Sequence, residues 1–186
     1  MKKLLLIVDP QVDFIYGSLP VPHATEAMDL LADYIKQKDG EYVAKIVTTD
    51  WHPYHHCSFR ENHGQWPMHC VQYSVGAAIY SALLKPLYTT EGEVFVLRKG
   101  VDVDTEEYSI FKNTEAAEKI HEVVIANGIE RIDLCGLAGD VCVTNTLEDG
   151  VAIYGASMFH VLTDYAPSLD GGKKLEKTIA ELSVSK

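Results

Sequence analysis

The sequence predicts an α/β fold: a three-layer α/β/α arrangement around a mostly parallel, six-stranded, doubly wound sheet. Two observations predict it. Apolar runs rich in Val, Ile and Leu alternate along the chain with amphipathic stretches, as in a parallel sheet flanked by helices on both faces. The runs are also continuously apolar rather than alternating, which marks strands buried on both sides.

Taken in order, the first run is LLLIVD, residues 4–9. Preceded by MKK it imitates a secretory signal, but it stops at Asp9-Pro10, shorter than a signal core, so it is read as a strand. A helix follows at 25–38, then the strand YVAKIVTTD at 42–50, a helix at 74–85 and the strand VFVLRK at 94–99. Next come a helix at 113–127, the strand RIDLCGLA at 131–138, a helix at 143–154 and the strand MFHVLTD at 158–164. The last element, 171–182, ends in LSVS, taken as an edge strand and the sixth of the sheet. Asn127-Gly128 and Asp149-Gly150 read as turn or helix-end signals. There is no internal repeat or low-complexity linker, and 186 residues suggest one domain spanning 1–186.

Composition narrows the function. Hydrophobic residues make up 47% and charged residues 23%, ordinary for a globular chain. The formal charge of −11 and the lack of a Lys/Arg cluster argue against nucleic-acid binding. No stretch approaches a membrane span, and the simplest location is the cytoplasm. The four cysteines, Cys57, Cys70, Cys135 and Cys142, include no C-x-x-C pair, and a chain of this length needs no disulfides. Cys135, inside an apolar run, reads as a small buried hydrophobe.

The strand ends carry the chemistry. They finish in Asp9, Asp50, Lys99 and, after a short turn, Cys142. Ligands of open parallel sheets bind at the carboxyl ends of strands, so an acid, a cation and a thiol are expected at one edge. Cys142 opens a helix, and a helix N-terminus lowers a thiol's pKa. Asp9 can take the thiol proton, Lys99 can hold Asp9 and the thiolate charged, and the turn before Cys142 can offer N–H groups to an oxyanion. The same three residues equally suit a core cysteine, a turn aspartate and a solvated lysine, and the pattern alone leaves both readings open.

A second cluster lies between Asp50 and Cys70. Asp50 and His52 stand two apart, so in an extended segment they point the same way, and His69 can return from the W-P-M-H turn. Two histidines and a carboxylate with open positions suit a divalent metal such as zinc, iron or manganese. His55, His56, Glu61 and His63 are candidates for a further ligand, against water, or are ordinary loop residues. Trp51 reads as packing, and Trp66 as loop packing or a flat wall for an aromatic ligand.

Together, DPQVDF (9–14), DWHPYHHCSF (50–59), WPMHC (66–70), RKG (98–100) with YSIF (108–111), and GLAGDVCV (136–143) closely resemble the nicotinamidases, a branch of the isochorismatase-like cysteine hydrolases. GLAGDVCV with the N-terminal Asp fits the whole superfamily; the DWHP and WP-x-H-C segments are narrower. The resemblance implies the isochorismatase-like hydrolase fold and hydrolysis of nicotinamide to nicotinate and ammonia through a thioester, a step of NAD salvage. It implies a triad of Asp9, Lys99 and Cys142, and an oxyanion hole of the Ala138 and Cys142 N–H groups with a cis peptide before Ala138. It also implies one divalent metal, zinc before iron or manganese, on Asp50, His52 and His69, completed by water and receiving the pyridine nitrogen. Phe14 and Trp66 match positions that sandwich the ring, and Tyr108 one that flanks it. The partner implied is a small molecule, with neither nucleic acid nor membrane, and relatives of this kind are often homo-oligomers. Two departures stand out: only Arg60–Gln65 separates H-x-SF from WP-x-H, which bears on the lid and on the fourth ligand, and Ile110 replaces a small residue and is expected to narrow the pocket.

Rival readings are a superfamily hydrolase acting on another small amide or on isochorismate, a metallohydrolase in which Cys142 is a bystander, and a non-catalytic nicotinamide sensor. The metal set argues against the first, and the complete triad against the last.

Overall fold

In the computed structural model, which describes residues 1–186, strand β1 (Lys3–Val8) forms the middle of a five-stranded sheet. Leu4 to Val8 are fully buried, because alternate side chains enter opposite cores: Leu4, Leu6 and Val8 on one face, Leu5 and Ile7 on the other. This is why the run is continuously apolar.

One helical turn, α1 (Val12–Ile15), and the helix α2 (Ala24–Gln37) lead to β2 (Tyr42–Asp50); α3 (Ser81–Thr89) leads to β3 (Glu93–Lys99). Then follow α4 (Thr114–Asn127), β4 (Arg131–Gly136), α5 (Thr144–Tyr154), β5 (Phe159–Val161) and α6 (Lys173–Leu182). The strand order is β3-β2-β1-β4-β5 and every pairing is parallel. Helices α2 and α3 cover one face through Met28, Leu31, Ile35, Leu83 and Leu87; α4, α5 and α6 cover the other through Ile120, Val124, Leu147 and Ile179. The three-layer, doubly wound α/β/α architecture expected from the sequence is present. The order reverses between β1 and β4, and a crevice opens there beyond the strands' carboxyl ends. No helix is long and apolar enough to cross a membrane.

Several expected elements differ. The sheet has five strands, not six. Ser183 takes a left-handed conformation that ends α6, and Ser185 forms only an isolated bridge with His160, its carbonyl accepting from Val161 N at 2.9 Å. The helix expected at 74–85 is Ser81–Thr89 instead. Residues before it are pulled against α1: the Gly76 carbonyl accepts from Asp13 N at 3.0 Å, and a Cβ on Gly76 would lie 2.0 Å from Asp13 Oδ2. Asn127-Gly128 does end α4, with Gly128 at φ +59°, the left-handed cap that glycine adopts without steric cost. Asp149-Gly150 ends nothing: Gly150 lies within α5, where a Cβ would sit 2.4 Å from Phe159 Cζ, so close helix–strand packing, not a turn, requires it.

Candidate active site

The sheet's parallel register carries the chemistry to one edge. Asp9 immediately follows β1, while Asp50 and Lys99 end β2 and β3 as register partners. Beyond β4 a cis peptide joins Leu137 to Ala138, and a π-helical turn over Gly139–Val143, which carries Cys142, leads into α5. Gly139 is required at that turn, since a Cβ would meet Ser168 Oγ at 2.3 Å and Ala166 O at 2.4 Å.

Lys99 is the hub. Fully buried, its ammonium lies 2.9 Å from Asp9 Oδ2, donates to Asp50 Oδ1 and reaches Cys142 Sγ at 3.5 Å. Burial alone would push the ammonium down in pKa, but the charges of Asp50, Asp9 and Cys142 raise it well above the ordinary lysine value. Its two carboxylates are driven apart. Burial raises both, yet at Asp50 the charges of Lys99, His52 and His69 prevail and hold it ionised, whereas Asp9 ends above the usual carboxylate value. Asp9 Oδ1 accepts from Thr48 Oγ1 at 2.6 Å; Oδ2 is buried and, despite its ionic contact with Lys99, makes no well-directed hydrogen bond. Of the two carboxylates it is thus the one whose pKa is raised and which keeps an oxygen without a directed hydrogen bond. Burial, together with Asp9 and Asp50, pushes the Cys142 thiol well up against the pull of Lys99, so ionising the thiol requires an adjacent proton acceptor.

Asp50 faces the histidines with its other oxygen. His52 Nε2 is 3.5 Å and His69 Nε2 3.9 Å from Asp50 Oδ2, and one ligating atom from each of the three residues falls within 4.8 Å of the others. The outer nitrogens show what the inner ones are for. His52 Nδ1 meets Gly100 O at 3.0 Å and His69 Nδ1 meets Pro67 O at 2.7 Å. A carbonyl only accepts, so each Nδ1 carries a hydrogen and each Nε2 faces Asp50, where the neutral ring offers its lone pair. This donor set fits a divalent metal ion. Gln11 fixes Asp50 itself: its amide oxygen accepts from Asp50 N at 2.7 Å and its nitrogen donates to Asp50 O at 2.7 Å.

The candidate further ligands do not join this group. His55, Glu61 and His63 are exposed. His56 is buried, but Nε2 donates to Thr105 O at 3.0 Å and Nδ1 accepts from Ser58; its ring lies 4.0 Å from that of His52, which it buttresses. Trp51 packs, with the Arg98 guanidinium 4.1 Å above its ring and Tyr73 against its edge.

A cavity opens beside Cys142 and the Asp50–His69 pair, walled by Phe14, Trp66, Tyr108, Val141 and Leu169. Trp66 Nε1 donates to Tyr108 Oη at 3.1 Å, and the Phe14 ring lies 5.4 Å from that of His69. Ala138 also lines the cavity, and its buried N–H donates to no group of the protein. Ile110 does not narrow the cavity: it is fully buried in the core under α4 and α5. Sequence reasoning missed Glu106, a half-buried carboxylate in the cavity wall raised by burial and by Asp50, as well as Thr48 and Gln11. Gln11 stands within DPQVDF, but nothing local in that segment reveals its bonds to residue 50.

A family model described as the isochorismatase domain matches residues 3–153. The nicotinamidase/pyrazinamidase of Mycobacterium tuberculosis is 30% identical, over 97% of this chain and 92% of the relative. Among solved structures, pyrazinamidase of Pyrococcus horikoshii in complex with zinc superposes with a TM-score of 0.80 at 30% identity, covering 98% of this chain and 95% of that one. The yeast nicotinamidase bound to the inhibitor nicotinaldehyde gives 0.84 at 25% identity, covering 99% and 100%.

Proposed function

Since the chain belongs to the isochorismatase family, we propose that it is a cysteine amidohydrolase that converts nicotinamide to nicotinate and ammonia, with Cys142 as nucleophile. One observation carries this reading: the thiol, its lysine and the lysine-facing Asp9 oxygen adjoin a converging Asp50–His52–His69 donor set in an aromatic-walled cavity. A flat heteroaromatic amide has one group for each end.

In this reading the ring lies between Phe14 and Trp66 with Tyr108 at its flank. Asp9 takes the Cys142 proton as sulfur attacks the amide carbon. The raised pKa of Asp9 suits the first step, since it makes Asp9 a stronger base toward the thiol than an ordinary carboxylate; the proton it gains then passes to the departing ammonia. The Ala138 N–H, which has no acceptor in the protein, and the Cys142 N–H hold the developing oxyanion. Asp9 then draws a proton from water as it hydrolyses the thioester. Lys99 keeps Asp9 and the thiolate charged while they need to be. Asp50, His52 and His69 would hold zinc, with iron or manganese as the alternatives; bound there, the metal supplies a Lewis acid that anchors and orients the pyridine nitrogen. All four cysteines are unpaired, in keeping with a reducing compartment, and we place the enzyme in the cytoplasm.

The test is ammonia release from nicotinamide before and after chelation and metal re-addition, with Cys142→Ala alongside. Release that depends on both thiol and metal is expected. Activity retained by Cys142→Ala would overturn the nucleophile, and no release from metal-replete protein would redirect the site to another small amide.

A further inference from the structure

We propose that Gln65 is a positioning residue for the aromatic substrate: by donating to the Tyr108 hydroxyl, it fixes Tyr108 and Trp66 as one rigid wall of the cavity. The identity of the ligand rests on the amidase reading above; the geometry does not.

Gln65 Nε2 donates to Tyr108 Oη at 2.8 Å and Trp66 Nε1 donates to the same oxygen at 3.1 Å. A phenol oxygen has two acceptor sites, so both are filled and the hydroxyl hydrogen is turned away from these donors. The two cavity walls come from segments 42 residues apart, and these bonds tie their tips together. Their bases are fixed separately. Trp66 N donates to Ser58 O at 3.0 Å and Trp66 O accepts from Arg60 N at 2.8 Å, while Tyr108 is followed by the buried Ser109 and Ile110. What remains free in each is the tip, and the shared hydroxyl holds both. Gln65 is exposed, so it adds little to the core. It closes the short Arg60–Gln65 segment onto the loop that carries Tyr108.

The wall contacts the ring in ground state and transition state alike, so weakening it raises KM and leaves kcat unchanged. The test pairs steady-state kinetics on nicotinamide with NMR-detected hydrogen exchange at the Trp66 indole N–H. The chain has two tryptophans, and Trp51→Phe assigns the signals. Gln65→Met keeps the shape of the side chain and removes its donor. It is expected to raise KM about two- to tenfold, the range of one lost hydrogen bond, with kcat unchanged and faster indole exchange. Gln65→Glu restores the tether with reversed polarity, the phenol now donating to a carboxylate, and is expected to return KM and exchange close to wild type. An unchanged KM in Gln65→Met, a fall in kcat alone, or a Gln65→Glu variant as impaired as Gln65→Met overturns the proposal. Should nicotinamide prove not to be hydrolysed, the amidase reading fails while indole exchange still decides this one: equal rates in wild type and Gln65→Met overturn it.

Discussion

Replacing Lys99 with methionine preserves most of the side chain's volume and removes one buried positive charge. In wild type that charge stands 2.9 Å from Asp9, is bonded to Asp50, and is 1% exposed. Its loss leaves two buried carboxylates facing each other, a change that costs about 3–5 kcal/mol when one partner of a buried ion pair is removed. For a domain of this size each kcal/mol is worth about 2–4 °C, so the melting temperature is expected to fall by about 6–20 °C. The pH dependence is the sharper test. Wild-type Asp50 is depressed below its ordinary 3.8, so its contribution is present above that value and is lost as pH falls through the folded pKa. In Lys99→Met, Asp50 loses its largest charge partner, and Asp9, already raised, loses the attraction that opposed burial. A carboxyl raised in the folded state binds its proton more tightly there. It therefore favours folding fully below 3.8, and that favour fades as pH rises through the folded pKa. The deficit of the variant should shrink as pH falls from the neutral range toward 3.8. Urea unfolding followed by circular dichroism across that range, with chelator present in both proteins so that Asp50 is free, measures it. A deficit below about 1 kcal/mol, the level of an exposed pair, or one that stays constant with pH, refutes the hub assignment.

Two further outcomes are expected. Because burial raises Asp9 above 3.8, the acid limb of kcat/KM should lie above that value, with activity falling as pH drops through it, since a protonated Asp9 cannot accept from the thiol. Asp9→Asn should lower kcat by about 10²–10⁴ and erase the limb, and an unchanged profile counts against the role. Gly100 has φ +62°, and a Cβ there would sit 2.4 Å from His52 Cε1 and 2.6 Å from Nδ1. Gly100→Ala should therefore displace the ring, its backbone bond or both, and weaken metal binding about 10–100-fold. Competition with a chromophoric chelator reads this, and wild-type affinity in the variant would disprove it.

What the sequence made legible follows from where side chains are fixed. Asp50 and Lys99 end strands and Asp9 directly follows one, and a parallel sheet brings such ends to one edge whatever the loops do. Their meeting with Cys142 could therefore be expected from run boundaries alone. His52 and His69 were legible because residue types with few structural uses crowd the segment. The displaced helix at 81–89 and the lost sixth strand were not, for different reasons. Residues 74–80 are diverted by Gly76 packing on Asp13, a contact across the fold, and the LSVS tail has the composition of a strand but is interrupted by a left-handed Ser183. Ile110 misled because the resemblance alone, a small residue in relatives, suggested the cavity, whereas the backbone turns it into the core.

The illegible residues share one property: each acts on a partner far along the chain through a bond that leaves no local pattern. Gln11 clamps both backbone groups of Asp50 across 39 residues, Thr48 holds Asp9 across the same distance, and Gln65 reaches Tyr108 across 43. These bonds decide how the legible groups divide their labour. With Thr48 on one oxygen of Asp9, only the other faces Lys99 and the thiol. With Gln11 clamping the Asp50 backbone, its carboxylate is fixed with one oxygen toward the ammonium and the other toward two imidazoles. One lysine between two carboxylates is symmetric in a sequence. The burial of Asp9 with a single cation, against Asp50 with a cation and two histidines, breaks that symmetry: Asp9 is raised while Asp50 stays charged, the division of labour that the proposed mechanism uses.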